Sequence, residues 1–502
     1  MSIADSLTVL KNELAQKIVP ELVDLVASAL ANGTAAHQVE ESLWDVLLRA
    51  GRQGMQAFFD GHGTGDLGPT LTLPGGEEVK RLENLHARFY VSIFGKFQLE
   101  RVVYGSREGQ AIAFVPLDNR LQLPESDFSY LLQDWDQELA VEQAFSKVNQ
   151  TIERMLRLRQ HVDSLEGMNR QMAEDTAAFR DQLPAPPAAE EGEILVTTAD
   201  CKGIVIRGQG TPTVCGGERP GGVRANQKRM AAVGAVYTID PYVRTADGVV
   251  AALFHDVNYT PPPRPEPCHK HVWAVLPQGP AKAQSGIDLV YDWLAGQTLL
   301  RNPRGRQPTV HICDGQEALW NARDEYLPDK NTVNILDLLH VTPRLWKAAK
   351  LFYSERSPQV VPFVRQRVTQ VLHGKVETVV RGLRRLAKEY KLSAAKKKSL
   401  ATICSYLYKN RQRMRYDEYL AKGYPIASGV IEGACRHLVK DRMERAGMHW
   451  TLAGAQAMLD LRAVSVSGQW EAFQQYRIER ATPRLYPHRQ LAAGDAFFTM
   501  AA

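Results

Sequence analysis

Short apolar runs rich in β-branched residues, together with one stretch of helical periodicity, most limit how the chain beyond residue 193 can fold. A run of this kind bounded by turn residues is typical of a strand, and strands that alternate with helices build an α/β core. The sequence therefore predicts a mixed sheet covered by helices. The predicted strands are 194–198, 231–239, 249–254, 272–276, 309–313 and 332–336, and the predicted helix is 284–299.

The chain's 502 residues exceed what one hydrophobic core usually supports, so several domains are expected. Proline and acidic residues replace the apolar periodicity at 183–193, which predicts a linker. Residues 343–424 are basic and nearly all helical in pattern, which predicts a helical insertion into the α/β core. The predicted segments are 1–60 (helical), 85–118 (a small β-ribbon), 119–182 (helical), 183–193 (linker), 194–342 (first part of the core), 343–424 (insertion), 425–470 (final part of the core) and 471–502 (C-terminal tail).

Three acidic residues stand among small neighbours: Asp200 in Thr-Ala-Asp-Cys-Lys-Gly, Asp314 in His-Ile-Cys-Asp-Gly, and Glu432 in Gly-Val-Ile-Glu-Gly-Ala. Asp200 and Asp314 each end an apolar run, so their carboxylates would meet at one edge of the sheet if the two strands are neighbours. Taken singly, each aspartate is more simply a turn residue. Glu432 is likewise an acid in the first turns of a helix capped by Ser428 and pairs with Arg436. Taken together, the three acids indicate a site that holds divalent metal ions against a phosphodiester.

Cations accompany these acids. Lys202 follows Asp200 by two residues, and Arg436 and Lys440 repeat at four-residue spacing on the face of Glu432, which suits phosphate recognition. Contacts to a DNA backbone need cations but no fixed sequence, so the basic insertion is a second candidate surface; a solvated helix face is its alternative. Trp450 either stacks on a base or packs under the Glu432 helix. The residues predicted to contact DNA are Lys202, Arg436, Lys440, Arg384, Arg385, Lys388, Lys397, Arg411, Arg413 and Trp450.

A second candidate DNA-binding element lies within 119–182. The segment 141–172 fits a helix-turn-helix, with Asp163 or Ser164 capping its second helix. Two helices of an ordinary bundle with a solvated basic face fit equally well. The arginines available there for phosphates are Arg154, Arg157, Arg159 and Arg170.

The cysteine pattern and the hydropathy limit the class of protein. Six cysteines form no Cys-x-x-Cys pair, which favours reduced thiols over a disulfide framework, and Cys268 with His269 and His271 lacks the paired second cluster of a zinc site. No apolar run approaches the roughly 20 residues that span a bilayer. We therefore expect a cytoplasmic protein without membrane contact.

The motifs resemble those of a known family, the DDE transposases of bacterial insertion sequences, and are most similar to the ISKra-type group, which is distantly allied to Mutator-like transposases. The resemblance covers nearly the whole chain. Two departures are Cys201, where similar sequences often have glycine, and the absence of cysteine at 104–109, where relatives often carry a cysteine knuckle. The motifs that carry the resemblance are Thr-Ala-Asp200-Cys-Lys-Gly, His-Ile-Cys-Asp314-Gly with Trp320, Asp337-Leu-Leu-His340, Ala427-Ser-Gly-Val-Ile-Glu432-Gly through Asp441-Arg-Met, Trp450 and Leu461-Arg-Ala.

The resemblance implies a ribonuclease-H-like catalytic core, with a mixed sheet split by an all-helical insertion before the last acid. It implies that Asp200, Asp314 and Glu432 ligate two Mg²⁺ or Mn²⁺ ions that promote DNA cleavage and strand transfer by in-line displacement at phosphorus. His340 matches an acid-x-x-His motif beside the active site of related transposases and is assigned a supporting catalytic role; a hydrogen-bonded histidine at a strand end is its alternative. The implied partners are double-stranded DNA, both transposon ends and target, and further copies of the chain, in a bacterial cytoplasm on the nucleoid.

Two other functions remain compatible with these residues. One is a ribonuclease-H-like nuclease of repair or RNA processing, which would hydrolyse without joining ends. The other is a DNA-binding regulator descended from a transposase, which would keep the helix-turn-helix and not the chemistry. The presence of all three acids counts against the regulator.

Overall fold

The structure is a computed structural model that describes residues 3–106, 112–207, 226–277, 285–327, 331–445 and 447–492. Cys215, Gln284, residues 107–111 of the predicted ribbon and residues 493–502 of the predicted C-terminal tail lie outside these ranges. The chain divides into two compact units, one formed by Met1–Met168 with Glu471–Ala502 and the other by Asn169–Trp470. In the described ranges no helix is both long enough and apolar enough to span a bilayer.

The first unit is helical and has two small antiparallel sheets. The elements of this unit are α1 Ile3–Glu13, a π-helical turn Leu14–Ile18, α2 Val19–Asn32, α3 Ala36–His62, β1 Thr70–Thr72, β2 Glu78–Arg81, β3 His86–Ser92, β4 Gly95–Arg101, β5 Tyr104–Gly105, α4 Pro116–Leu121, α5 Tyr130–Glu142, α6 Phe145–Leu156, α7 Val162–Ala173, α20 Trp470–Leu485 and α21 Arg489–Ala492. The strand orders of its two sheets are β1–β2–β5 and β3–β4. Helix α7 continues past Met168, where the first unit ends.

Within the segment predicted as a β-ribbon, 85–118, the hairpin β3–β4 pairs from His86↔Arg101 to Ser92↔Gly95, and helix α4 begins at Pro116. Gly95 has φ +117°, a conformation that other residues rarely adopt, so the turn depends on glycine. Phe97 and Leu99 are buried. Alternation along β4 thus points one face of the hairpin into the core.

The helices proposed for a helix-turn-helix are α6 and α7. The two predicted caps are wrong, because α7 begins at Val162 and places Asp163 and Ser164 inside its first turn. Two of the arginines expected to contact phosphates are paired with acids: Arg157 with Asp45 and Glu41, and Arg159 with Glu153. The DNA-binding role of these helices stays a prediction.

A buried carboxyl group makes the first unit's stability depend on pH. Asp136 has no exposed surface, and its Oδ1 accepts a hydrogen bond from Gln160 Nε2 at 2.9 Å. Burial raises the pKa of Asp136 from 3.8 to about 7. The folded unit therefore holds one proton more than the unfolded chain between these values, and its free energy of unfolding falls by about 1.4 kcal/mol for each pH unit as the pH rises.

The variant Asp136→Asn mimics the protonated carboxyl, so we expect it to remove this slope between pH 4 and 7 and to be more stable than the wild type at pH 8. Urea unfolding at a series of pH values measures both effects. An Asp136→Asn profile as steep as the wild-type profile would contradict the assignment.

The second unit contains a five-stranded mixed sheet in the order β10-β9-β6-β7-β8. Strands β6, β7 and β8 are antiparallel neighbours, whereas β9 and β10 run parallel to β6. Its elements are α8 Thr176–Gln182, β6 Ile194–Arg207, β7 Asn226–Ile239, α9 Ala246–Leu253, β8 Cys268–Val275, α10 Gly286–Arg301, β9 Thr309–Cys313, α11 Glu317–Tyr326, β10 Thr332–Leu336, α12 Leu338–Phe352, α13 Val360–Leu372, α14 Val376–Glu389, α15 Ala394–Lys409, a 3₁₀ turn Arg411–Arg413, α16 Tyr416–Ala421, α17 Gly429–Ala434, a π-helical segment Cys435–Lys440, α18 Asp441–Met443 and α19 Leu452–Val466.

The mixed α/β prediction is confirmed, with two corrections. The predicted strand 249–254 falls in helix α9 up to Leu253, with Phe254 at its C-cap. The helix forms because Thr245 caps it by accepting from Gly248 N and because Ala246 and Val250, one turn apart, are both buried. The predicted strand 194–198 extends to Arg207, since β7 pairs with β6 along its whole length. Asp200 therefore lies within a strand and not at its end.

The predicted linker 183–193 lies between α8 and β6 and contains no helix or strand. After β10 the chain is helical through Ala421. The first of these helices begins at Leu338, five residues before the predicted insertion, because Asp337 caps it by accepting from Leu339 N at 2.8 Å. A continuous core runs from the sheet into α12–α16.

Candidate active site

Strand register makes Asp200 and Asp314 neighbours. The parallel pairing of β6 with β9 ends at Ala199↔Cys313, so Asp200 follows the last pair within β6 and Asp314 follows it directly after β9. Asp200 Oδ1 accepts from the amide of Cys201 at 2.7 Å, and Asp314 Oδ1 accepts from the amide of Gln316 at 2.7 Å. The two aspartates are therefore neighbours at the point where β9 ends.

The charge of Asp314 acts on the neighbouring carboxyl of Asp200. Burial raises the pKa of Asp200, and the charge of Asp314 raises it further. Hydrogen bonds from the Cys201 amide and the Cys435 thiol, together with the charge of His340, act in the opposite direction. Two acids that repel each other in a partly desolvated site favour a cation between them.

Glu432 lies on α17, which continues into the π-helical segment Cys435–Lys440 and packs against β6 and β7. The Cys435 thiol, one turn after Glu432, lies 3.5 Å from Asp200 Oδ2. Ser428 precedes the helix but does not cap it, which corrects the expectation from sequence. Its hydroxyl instead donates to the buried carboxylate of Asp337.

His340 joins the acid cluster. Its Nε2 lies 3.2 Å from Glu432 Oε1, and it lies close enough to Asp200 to influence that carboxyl's pKa. It stands in the first turn of α12 and not at a strand end, because Asp337 caps the helix there. The Leu338 amide also donates to the Ile426 carbonyl at 3.0 Å, which ties the start of α12 to the chain that precedes α17.

Asp200, Asp314, Glu432 and His340 thus come from four separate segments to one region. Among the described residues, however, no three acidic, histidine or cysteine side chains are placed to hold a metal ion as they stand. The donor set still suits a hard divalent cation, since it consists mainly of carboxylate oxygens, and the charge of Asp314 already disfavours ionised Asp200.

Three predicted cations stand near this region. Lys202 shares the Asp200 face of β6. Burial raises the pKa of the Cys435 thiol, and the charge of Lys202 acts in the opposite direction. Arg436 and Lys440 are exposed on the π-helical segment. The expected pairing of Arg436 with Glu432 is wrong: Arg436 Nε lies 3.9 Å from Asp441 Oδ1, whereas Glu432 contacts His340.

The predicted cations of the helical insertion fall into two groups. Arg384, Arg385 and Lys388 on α14 and Lys397 on α15 are exposed, and Arg385 pairs with Glu389. Arg411 and Arg413 instead stack on aromatic rings. Arg411 lies over Tyr408 and pairs with Glu377, while Arg413 lies 3.9 Å over Trp320.

Of these, Arg413 is linked to the acid cluster, because Trp320 Nε1 donates to the Asp314 carbonyl at 2.7 Å. Burial lowers the pKa of Arg413.

Trp450 has an 8% exposed side chain, and its Nε1 donates to the Met443 carbonyl at 3.2 Å. Its own carbonyl accepts from the Arg207 amide at the end of β6. The ring is therefore a packing element and is not presented to a base, so we remove it from the proposed DNA contacts.

Sequence inspection missed Arg344 and the role of Gly315. The ring of Tyr406, from insertion helix α15, lies so close to Gly315 that a Cβ there would stand 2.1 Å from the ring. Gly315 has no positive φ, so it is required by this close approach and not by a turn. The one sequence signal was the glycine directly after Asp314.

Gly315→Ala is expected to lower the free energy of unfolding by about 1–3 kcal/mol, because the added methyl overlaps the Tyr406 ring. Denaturant unfolding measures the change. In the double variant Gly315→Ala/Tyr406→Ala, the two losses of unfolding free energy should not add, because the methyl at position 315 has no ring to clash with once Tyr406 is alanine.

The matched control is Gly382→Ala. Gly382 lies within α14, an alanine Cβ there would meet no atom within 4 Å, and alanine favours helix. Gly382→Ala should leave the free energy of unfolding unchanged or increase it. Equal losses in both glycine variants would contradict the close approach of Tyr406.

Comparison with known proteins leaves the family open. No protein-family model matches the chain, and no curated protein matches it. Among solved structures it is similar to the Drosophila P element transposase strand transfer complex, with a TM-score of 0.25, 8% sequence identity, and coverage of 76% of this chain and 88% of that chain. Values this low do not establish a shared fold or family.

Proposed function

We propose that this protein is a DDE-type transposase that binds the DNA ends of its element and, with Mg²⁺ or Mn²⁺, cleaves them and joins them to target DNA. One observation carries the proposal. The β6–β9 register makes Asp200 and Asp314 neighbours, while His340 and Cys435 link Glu432 to the same place. Clusters of acids from distant segments with a perturbed carboxyl pKa are found most often at functional sites, and a bound cation would offset their repulsion.

A ribonuclease-H-like core is part of this proposal. Three antiparallel strands, β6 to β8, followed by two parallel strands, β9 and β10, on the other side of β6 support it. The helices α12–α16 separate β10 from the Glu432 helix, as expected for a core split by a helical insertion.

Asp200, Asp314 and Glu432 would hold the metal ions, and bound ions would supply charge stabilisation for both the attacking and the leaving oxygen. Ligation by all three acids requires side-chain movement from the arrangement described above. His340 orients Glu432 through its 3.2 Å contact. Ser428 and Leu338 fix the helix that carries His340 relative to the helix that carries Glu432, through the Asp337 carboxylate and the Ile426 carbonyl.

The chemistry proposed is in-line substitution at phosphorus. In cleavage, a water oxygen bonds to phosphorus and gives up a proton to solvent, while the bond from phosphorus to the 3′ oxygen breaks and that oxygen takes up a proton to become a hydroxyl. In strand transfer, the freed 3′-hydroxyl loses its proton to solvent and attacks a target phosphodiester, and the target's own 3′ oxygen leaves and is protonated. Each step exchanges one phosphorus–oxygen bond for another, so no covalent protein intermediate is needed.

The DNA surface proposed includes Lys202, Arg436, Lys440 and the exposed cations of α14 and α15. Their contacts would follow the phosphate backbone and weaken with salt. Joining two ends to a target requires both ends in one complex, so we propose a homo-oligomer on DNA.

The test uses the purified full chain and a labelled duplex of the DNA that borders its gene, with Mg²⁺, Mn²⁺ or EDTA. We expect 3′-hydroxyl ends and joined products with either metal ion and neither product in EDTA. Hydrolysis without joining would instead support the nuclease, and binding without metal-dependent cleavage would support the regulator.

A further inference from the structure

Arg344 lies on α12 and is not one of the residues proposed above to hold the metal ions. It lies one helical turn after His340, and its Nη1 donates to the His340 carbonyl at 2.5 Å. Its guanidinium lies 3.5 Å over the ring of Tyr406. The side chain is partly buried, so two neighbours fix its planar group.

Tyr406 connects this cation to the aspartates. Its ring packs against Gly315, the residue after Asp314. Burial raises the pKa of Tyr406, the charge of Arg344 acts to lower it, and the charge of Asp314 acts to raise it. Tyr406 therefore lies within electrostatic reach of both groups. The guanidinium is thus connected to the acid cluster through two neighbours, His340 and Tyr406.

Arg344 has no carboxylate partner among the residues that the structure describes, whereas several other arginines of the insertion do. Arg365 pairs with Asp256, Arg411 with Glu377, and Arg385 with Glu389. A cation that is partly desolvated and unpaired costs free energy, unless an anion completes it. Stacking on Tyr406 covers one face of the guanidinium and leaves N–H groups on its edge, the geometry that binds a phosphate.

We propose that Arg344, held by Tyr406 and the His340 carbonyl, binds a non-bridging oxygen of a DNA phosphate next to the scissile one and so positions the strand. This inference rests on the proposed function, since it assumes that DNA enters the acid cluster. Arg344 is a positioning residue, because it acts on a neighbouring phosphate and not on the reacting atoms.

Arg367 provides a matched control. Its guanidinium lies 3.5 Å over the Phe363 ring, the same separation as in the Arg344–Tyr406 pair, and it donates to the Phe363 carbonyl. Both arginines belong to the helical insertion and each has a carbonyl partner one turn earlier. Removing Arg367 thus takes away a stacked arginine of the same kind without touching the acid cluster.

The experiment measures binding of the labelled terminal duplex in EDTA over a salt series, for the wild type, Arg344→Ala, Arg344→Lys and Arg367→Ala. We expect Arg344→Ala to bind about ten- to a hundred-fold more weakly and to reduce the slope of log affinity against log salt by about 0.9, as for one lost phosphate contact. Arg344→Lys keeps the charge but not the planar fork, so it should keep the slope and recover part of the affinity. Arg367→Ala should match the wild type.

A second series places one neutral methylphosphonate at successive positions around the cleavage point. At one position the methylphosphonate should weaken DNA binding by the wild type and leave DNA binding by Arg344→Ala unchanged. If Arg344→Ala binds like Arg367→Ala, or if no position shows this coupling to Arg344, the inference is overturned. If the coupling appears but the wild type never cleaves with Mg²⁺ or Mn²⁺, the proposed function fails and the phosphate contact stands.

Discussion

Asp314→Asn is expected to reduce metal-dependent cleavage of the terminal DNA by about 10³-fold or more. A metal ion contributes several kcal/mol of charge stabilisation in such a site, and each 1.4 kcal/mol corresponds to a factor of ten in rate. An amide keeps the shape of the carboxylate but loses its charge. Single-turnover cleavage with Mg²⁺ and with Mn²⁺ measures the loss.

A loss of folded protein should not account for the lower cleavage rate of Asp314→Asn. The charge of Asp314 raises the pKa of Asp200, so its removal relieves a repulsion and should leave the protein at least as stable. Glu317→Gln is the matched control, since Glu317 lies three residues away, is 71% exposed and pairs with Lys409. Cleavage by Asp314→Asn within tenfold of the Glu317→Gln rate would refute the metal-site assignment.

Arg462→Met is expected to cost about 2–4 kcal/mol of unfolding free energy, the largest stability effect we predict for one substitution. Arg462 is 1% exposed on α19, and its guanidinium donates to the carbonyls of Leu438 at 2.8 Å and of His437. Both carbonyls belong to the π-helical segment. Methionine fills similar volume but leaves these buried acceptors without their donor. Urea unfolding measures the loss.

We expect Arg462→Met to lower the cleavage rate as well as the stability. The π-helical segment begins at Cys435, whose thiol contacts Asp200, so loosening it should also lower cleavage. Arg356→Met, at an exposed position of the same unit, should change stability by less than about 0.5 kcal/mol. If Arg462→Met proved as stable as Arg356→Met, the anchoring role would be wrong.

Local pattern predicted much of the second unit's sheet. The runs 309–313 and 332–336 are strands with those bounds, because short β-branched stretches before an aspartate have few other ways to bury their side chains. The same reasoning failed at 249–254. A short apolar run is compatible with a strand or a helix, and the hydrogen bond from Gly248 N to the Thr245 side chain favours the helix.

Residue type and local spacing suffice to identify the groups that this protein can offer: three acids among small residues, a histidine three residues after Asp337, and a basic helical insertion. Which of these groups contact one another depends on how distant segments pack in the folded protein. The His340–Glu432 contact joins residues 92 apart, and the Cys435–Asp200 contact joins residues 235 apart. Such contacts, like the stack of Arg344 on Tyr406, follow from strand register and helix packing, which no local stretch of sequence specifies.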